Sequence, residues 1–175
     1  MACSGDDTAA PEPATPHESA TRAWSEARSL MFVCLGNVCR SPFAEGLALR
    51  DLPAGRTASS AGHYPGAGRR SPPEAVAVAR GFGVDLRPHR SRVLSEGLLA
   101  EADAIFVCDE QNYAAVTTMA PGATGRTHYL GALDPRGPLT VGDPFGGGLG
   151  GYQAVYAQIA AAIVAARRAS TESGG

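Results

Sequence analysis

The chain has 175 residues, is 44% hydrophobic and carries a formal net charge of −2. That length suits one domain with a substantial core, and the near-neutral charge argues against a dedicated nucleic-acid binder. All 15 basic residues are arginine, which excludes a Walker-type phosphate loop and Schiff-base chemistry, because both need lysine.

The charge is uneven. Residues 1–29 hold Asp6, Asp7, Glu12, Glu18 and Glu26 against Arg22 and Arg28, a balance of −3, which leaves about +1 for the remainder. The four cysteines, Cys3, Cys34, Cys39 and Cys108, are spaced too irregularly for a secreted disulfide framework. No apolar run is read as membrane-spanning, and the N-terminus lacks the basic start and apolar stretch of a signal peptide. A cytoplasmic protein is expected, with export by an unusual route left open.

In chain order, residues 1–28 are rich in Ala, Pro, Thr, Ser and Glu without apolar periodicity, and are read as a disordered tail. Trp24, its one large apolar group, is taken as solvated or loosely packed. Leu30–Cys34 is continuously apolar, as a buried parallel strand is. Pro42–Leu49 reads as a helix with Ser41 as N-cap and Pro42 in the first turn. Arg56–Ser60 is a short strand. Pro73–Arg80 is a helix stopped by Gly81 and Gly83. Ser95–Ala102 is a short helix, Ala104–Cys108 a buried strand, and Glu110–Met119 a helix ended by Pro121-Gly122. Thr127–Leu130 is a weak strand. The run Gly146–Gly151 should be mobile. Tyr152–Arg168 is a long helix whose Tyr152, Val155, Tyr156, Ile159 and Ile163 face the core. Strand–helix alternation predicts one parallel sheet wrapped by helices, with ligands beyond the carboxyl ends of the strands.

That end of the first strand carries Cys34-Leu35-Gly36-Asn37-Val38-Cys39-Arg40-Ser41. A nucleophile at a strand end, a Gly-containing turn and an Arg at a helix start make a phosphate cradle. Inward backbone N–H groups bind an oxyanion, and the same positive field favours the thiolate. Arg40 can grip two phosphate oxygens with its planar fork. The chemistry indicated is phosphoryl transfer through a phosphocysteine. Asn37 suits a left-handed backbone of the kind a tight anion loop requires.

The run resembles the low-molecular-weight protein tyrosine phosphatase family, whose signature is C-x-G-N-x-C-R-S. The resemblance extends over Leu30 to about Arg168. Ser59-Ser60-Ala61-Gly62, Gly83-Val84-Asp85-Leu86 with His89-Arg90-Ser91-Arg92, and Asp109-Glu110-Gln111-Asn112 are similar to further family segments. It implies a single three-layer α/β domain over 29–168, flavodoxin-like, with a four-stranded parallel sheet, helices on both faces and a flexible 169–175. It implies Cys34 as nucleophile, Arg40 as phosphate clamp and, from Val141-Gly142-Asp143-Pro144, Asp143 as general acid. Asp134, in a second Asp-Pro pair, is the fallback. Asn37, Ser41, Ser60 and His89 are implied as the network that holds the loop, with the Ser41 hydroxyl directed at the Cys34 sulfur. Cys39 is implied as a reversible disulfide partner of Cys34, whereas Cys108 is read as core.

Two departures bear on the substrate. The loop His63–Arg70 has no Trp, so Tyr64 is the candidate wall of the slot, and after Asp143-Pro144 stand Phe145 and Gly146 where many members have tyrosines. Phe145 can still line an aromatic slot. Val38 stands where relatives acting on phosphoarginine tend to carry Thr, which favours phosphotyrosine. The expected activity is metal- and cofactor-independent hydrolysis of phosphotyrosine in a protein substrate by a monomer. Arsenate reduction on the same fold and protein-arginine dephosphorylation are the alternatives. The first wants a second cysteine after Cys108, and none lies in 109–130. A structural zinc site is disfavoured by a single C-x4-C spacing.

Overall fold

The apolar run before the cysteine loop forms β1 (Ser29–Cys34) in the computed structural model, which describes residues 12–172. β1 lies between β2 (Thr57–Gly62) and β3 (Ala104–Val107), and β4 (Thr127–Tyr129) pairs with β3. The order β2-β1-β3-β4 is parallel throughout. Parallel strands need crossovers, and helices supply them. These are α2 (Arg40–Asp51), α3 (Pro73–Gly81), α4 (Glu96–Ala100) and α5 (Glu110–Met119), with α1 (Pro16–Glu26) before the sheet and α6 (Gly148–Glu172) after it.

Side chains alternate along β1. Leu30, Phe32 and Cys34 belong to the core shared with α1, α2, α3 and α6, while Met31 and Val33 join Leu99, Val116 and Ala123 on the other face. The sheet is thus covered on both sides, which is why its central strands read as unbroken apolar runs.

Residues 12–28 are not a disordered tail. A capping box between Thr15 and Glu18, with Pro16 in the first turn, starts α1. Trp24 is 2% exposed and packs its ring against Phe32 and Phe106, with centroids 6.4 and 5.9 Å away. Arg56 donates to the carbonyls of Trp24 in the last turn and of Ala27 at the C-cap. The helix hides from periodicity because its buried side is only Ala20 and Trp24. Residues 1–11 lie outside the described residues.

The glycine run is likewise more ordered than expected, because Gly148–Gly151 is the first turn of α6. The helix continues past Arg168 to Glu172, where the Ser170 and Ser25 hydroxyls meet at 3.0 Å. Residues 173–175 lie outside the described residues. By length and composition α6 could cross a membrane, which no run in the sequence was expected to do. Here it is a core helix that buries Tyr152, Tyr156, Ile159, Ala162, Ile163 and Ala166, with Phe43 stacked on Tyr156 at 3.8 Å.

Candidate active site

Cys34 ends β1, and the loop after it folds back over the carboxyl end of the sheet before α2 begins at Arg40. Ser41 is therefore inside the helix, not its cap. The N-cap is Cys39, which makes no side-chain cap bond. The Ser41 hydroxyl turns inward instead and meets Cys34 Sγ at 3.0 Å. The loop passes so close to β2 that a Cβ on Gly62 would sit 2.6 Å from Leu35 O and 2.7 Å from Asn37 N. Only glycine fits there.

Asn37 has φ +52°, the one non-glycine residue with positive φ among the described residues. It is fully buried with every polar group engaged. Its N–H donates to Cys34 Sγ at 3.2 Å. Its Nδ2 donates to Ser41 Oγ at 2.9 Å and to Ser60 Oγ at 2.8 Å. Its Oδ1 accepts from the Arg92 N–H at 2.8 Å, and its carbonyl lies 2.7 Å from His89 Nε2. A carbonyl only accepts, so His89 carries its proton on Nε2. The Ser60 hydroxyl donates in turn to the Glu45 carboxyl, and Arg92 Nε donates to the Ser60 carbonyl. Burial raises the Glu45 carboxyl above its ordinary value.

Arg40 is 2% exposed. Its Nη1 bonds Asp109 Oδ2 at 2.7 Å and Val141 O at 2.9 Å, and its Nη2 lies 3.3 Å from Asp143 Oδ2. Its buried Nε has no partner among the described residues. A buried charged donor left unpaired is costly, and an oxyanion in the loop would satisfy it. Asp109 is fixed in turn as the N-cap of α5, accepting the Asn112 N–H at 2.9 Å. The Asn112 side chain reaches His63 Nε2 at 3.0 Å, and burial lowers the His63 pKa.

Cys34, Arg40 and Asp143 share one cavity of about 240 Å³, with Leu35, Gly36, Val38, Cys39, Tyr64, Arg69 and Phe145. Tyr64 and Phe145 are its exposed walls. Tyr64 is tied to the loop by its N–H to Leu35 O at 2.9 Å, and the Arg69 guanidinium lies 4.6 Å from the ring centroid while bonding Gly36 O at 2.7 Å. Asp143 is held by the Phe145 N–H at 3.1 Å as well as by Arg40, although a glycine run follows it. Asp134 lines a different cavity, beside Pro16 and His17, and caps the Arg136 N–H.

The sulfur of Cys39 meets the Tyr152 hydroxyl at 3.3 Å, and its carbonyl accepts from Tyr156 at 3.0 Å. Burial pushes the Cys39 thiol up to about 12, and that of Cys108, fully enclosed, well above its ordinary value. Cys34, Cys39 and Cys108 are free thiols.

The cysteine loop, Arg40 and Asp143 thus come together in one cavity, with Asn37, Ser41, Ser60 and His89 bonded behind the loop. Sequence reasoning missed Glu45 and the two α6 tyrosines as parts of the site, and gave Asp109 no role although it stands in a segment similar to the family's. Glu45 and the tyrosines look like ordinary helical residues until the fold brings them to the loop. Among the described residues no group of three or more His, Cys, Asp or Glu could hold a metal ion.

Comparison with known proteins agrees with this geometry. Residues 29–168 match the family model described as low molecular weight phosphotyrosine protein phosphatase. The low molecular weight protein-tyrosine-phosphatase Wzb of Salmonella typhimurium is 34% identical over 127 residues, covering 73% of this chain and 83% of its own. The Erwinia amylovora tyrosine phosphatase AmsI superposes with a TM-score of 0.76 at 29% identity, over 82% of this chain and 93% of that one. The YwlE arginine phosphatase from Geobacillus stearothermophilus superposes with a TM-score of 0.75 at 27% identity, over 83% and 94%. With its loop, clamp and sheet order in place, this chain belongs to the low molecular weight phosphotyrosine protein phosphatase family.

Proposed function

We propose that this enzyme hydrolyses phosphotyrosine in proteins through a phosphocysteine on Cys34. The observation that carries the reading is the convergence of the Cys34 sulfur, the Arg40 fork and the Asp143 carboxyl on one cavity with two aromatic walls.

In the first step Cys34 Sγ attacks phosphorus, the S–P bond forms and the P–O bond to the tyrosyl ring breaks. The departing oxygen takes the Asp143 proton. Arg40 Nε, left free by the protein, and Nη2 stabilise the equatorial oxygens. Ser41 Oγ and the Asn37 N–H, at 3.0 and 3.2 Å, stabilise the sulfur as it attacks and as it later leaves. In the second step water attacks phosphorus, the Asp143 carboxylate takes its proton, and the S–P bond breaks to return the Cys34 thiolate and inorganic phosphate. No metal is required by these steps.

Tyr64 and Phe145 favour a flat aryl group between them, and Val38 gives the cavity an apolar lining. These features favour phosphotyrosine over phosphoarginine, the second reading that the likeness to YwlE brings forward. Arsenate reduction with relay to Cys108 is disfavoured, because that thiol is fully buried. Cys39 lines the same cavity as Cys34, which suits a protective disulfide, though one that must draw the sulfur away from Tyr152.

The test is hydrolysis of matched phosphotyrosine and phosphoarginine peptides in EDTA, with arsenate plus a thiol reductant alongside. Preference for the phosphotyrosine peptide supports the reading. Turnover of phosphoarginine or arsenate alone overturns it.

A further inference from the structure

A second cavity, about 610 Å³, is lined by Arg70, Ser71, Arg80, Asp85 and Arg87 among others. The two are joined through consecutive residues. Arg69 lines the Cys34 cavity, and Arg70 lines this one. Arg87 is paired with Asp85 at 2.8 Å. The Arg70 and Arg80 guanidinium groups have no salt-bridge or hydrogen-bond contact among the described residues, although Arg80 also acts on the Asp85 carboxylate through space. Ser71 is only 8% exposed, and its buried hydroxyl has no partner among the described residues. α3 starts at Pro73 on the rim with no side-chain cap, and Glu74 in its first turn offsets the positive end of its dipole. Three arginines against one aspartate leave this lining at +2.

None of these groups takes part in the chemistry at Cys34. Unpaired guanidinium groups around a concavity are a phosphate-binding arrangement, because their planar donors match its oxygens. We propose that this cavity is an anion subsite for the same phosphoprotein substrate, taking a second phosphate displaced along the peptide from the phosphotyrosine in the Cys34 slot. The assignment rests on the phosphotyrosine reading of that slot. A peptide running from the slot along the Arg69-Arg70 segment would reach the second cavity. Substrates with two phosphorylated positions are therefore engaged at both, and singly phosphorylated ones at one.

The test compares a peptide with one phosphotyrosine against the same peptide with a second one at a series of spacings. For the wild type, kcat/KM at the best spacing should exceed that of the single phosphopeptide by about 5- to 10-fold, the worth of one or two partly solvated ion pairs. Added salt should shrink the gain. In Arg80→Ala and in Arg70→Ala/Arg80→Ala the gain should fall toward one, with hydrolysis of p-nitrophenyl phosphate unchanged. Equal kcat/KM for all peptides in the wild type, or a gain that survives the double substitution, would overturn the subsite. Should the single phosphopeptide not be hydrolysed at all, the phosphotyrosine reading fails, and the subsite is judged by binding to Cys34→Ser. There, tighter binding of the doubly phosphorylated peptide that Arg80→Ala abolishes supports it, and equal binding overturns it. Titration with inorganic phosphate separates the sources. A phosphate-binding event lost in Arg80→Ala, without any preference between peptides, would overturn the assignment to substrate.

Discussion

Asn37 presents its backbone N–H to the Cys34 sulfur at 3.2 Å from a left-handed conformation, φ +52°, that its own side chain secures. The amide spans from Ser41 and Ser60 on one side to the Arg92 N–H on the other. Asn37→Ala removes these bonds and leaves buried hydroxyl and N–H groups unpaired. A loss of about 3 kcal/mol in folding free energy is expected, with kcat falling while the protein remains folded. Urea titration and steady-state kinetics check both. A variant with wild-type stability and turnover would show that the loop holds its shape without the amide.

Asp143→Asn should lower kcat by about 10²–10⁴, the usual worth of a general acid. The loss should be larger for phenyl phosphate than for p-nitrophenyl phosphate, whose leaving group needs less protonation. Asp134, lining the distant cavity beside His17, should tolerate the same change. An equal loss with both substrates would remove Asp143 from the role of acid.

Glu45 gives a pH signature. It is buried, accepts from Ser60, and faces His89 and Arg92. Burial, the largest influence, raises its carboxyl above 4.5 despite the opposing Ser60 bond. Between the unfolded and the higher folded pKa the native state binds the extra proton, so stability falls as pH rises through that window. The contribution is complete below 4.5 and lost above the folded value. Glu45→Gln keeps an acceptor for Ser60 and removes the titration. Its stability relative to wild type should therefore improve as pH rises from below 4.5 toward neutrality. Parallel pH–stability curves would contradict this.

Trp24→Ala should cost about 3–5 kcal/mol, because it empties an enclosed site against Phe32 and Phe106. Chemical denaturation followed by far-ultraviolet circular dichroism reads the change. A cost below about 1 kcal/mol, ordinary for a surface substitution, would mean that α1 adds little to the core.

What the sequence made legible follows from where the information sits. Leu30–Cys34 and Ala104–Cys108 are unbroken apolar runs because both faces of the sheet are covered, so the strands could be placed to within a residue or so. Cys34, Asn37 and Arg40 lie within seven consecutive residues, where a nucleophile at a strand end, a Gly-containing turn and an Arg at a helix start together suggest an anion cradle. α1 was hidden because two buried residues suffice to dock it. The glycine run was misjudged for a related reason. Its helical state is imposed by the buried tyrosines that follow, not by local propensity. Asp109 at the clamp and Tyr152 at Cys39 depend on contacts across 69 and 113 residues, which no local pattern encodes.

The most direct measurement is rapid quench of the wild type into alkaline denaturant with labelled aryl phosphate, beside Cys34→Ser, in EDTA. A phosphocysteine mechanism predicts covalent phosphate, stable in alkali, on a peptide containing Cys34, formed at least as fast as steady-state turnover and accumulating when water attack is the slower step. It also predicts neither label nor turnover in Cys34→Ser. Turnover by Cys34→Ser at the wild-type rate would contradict it.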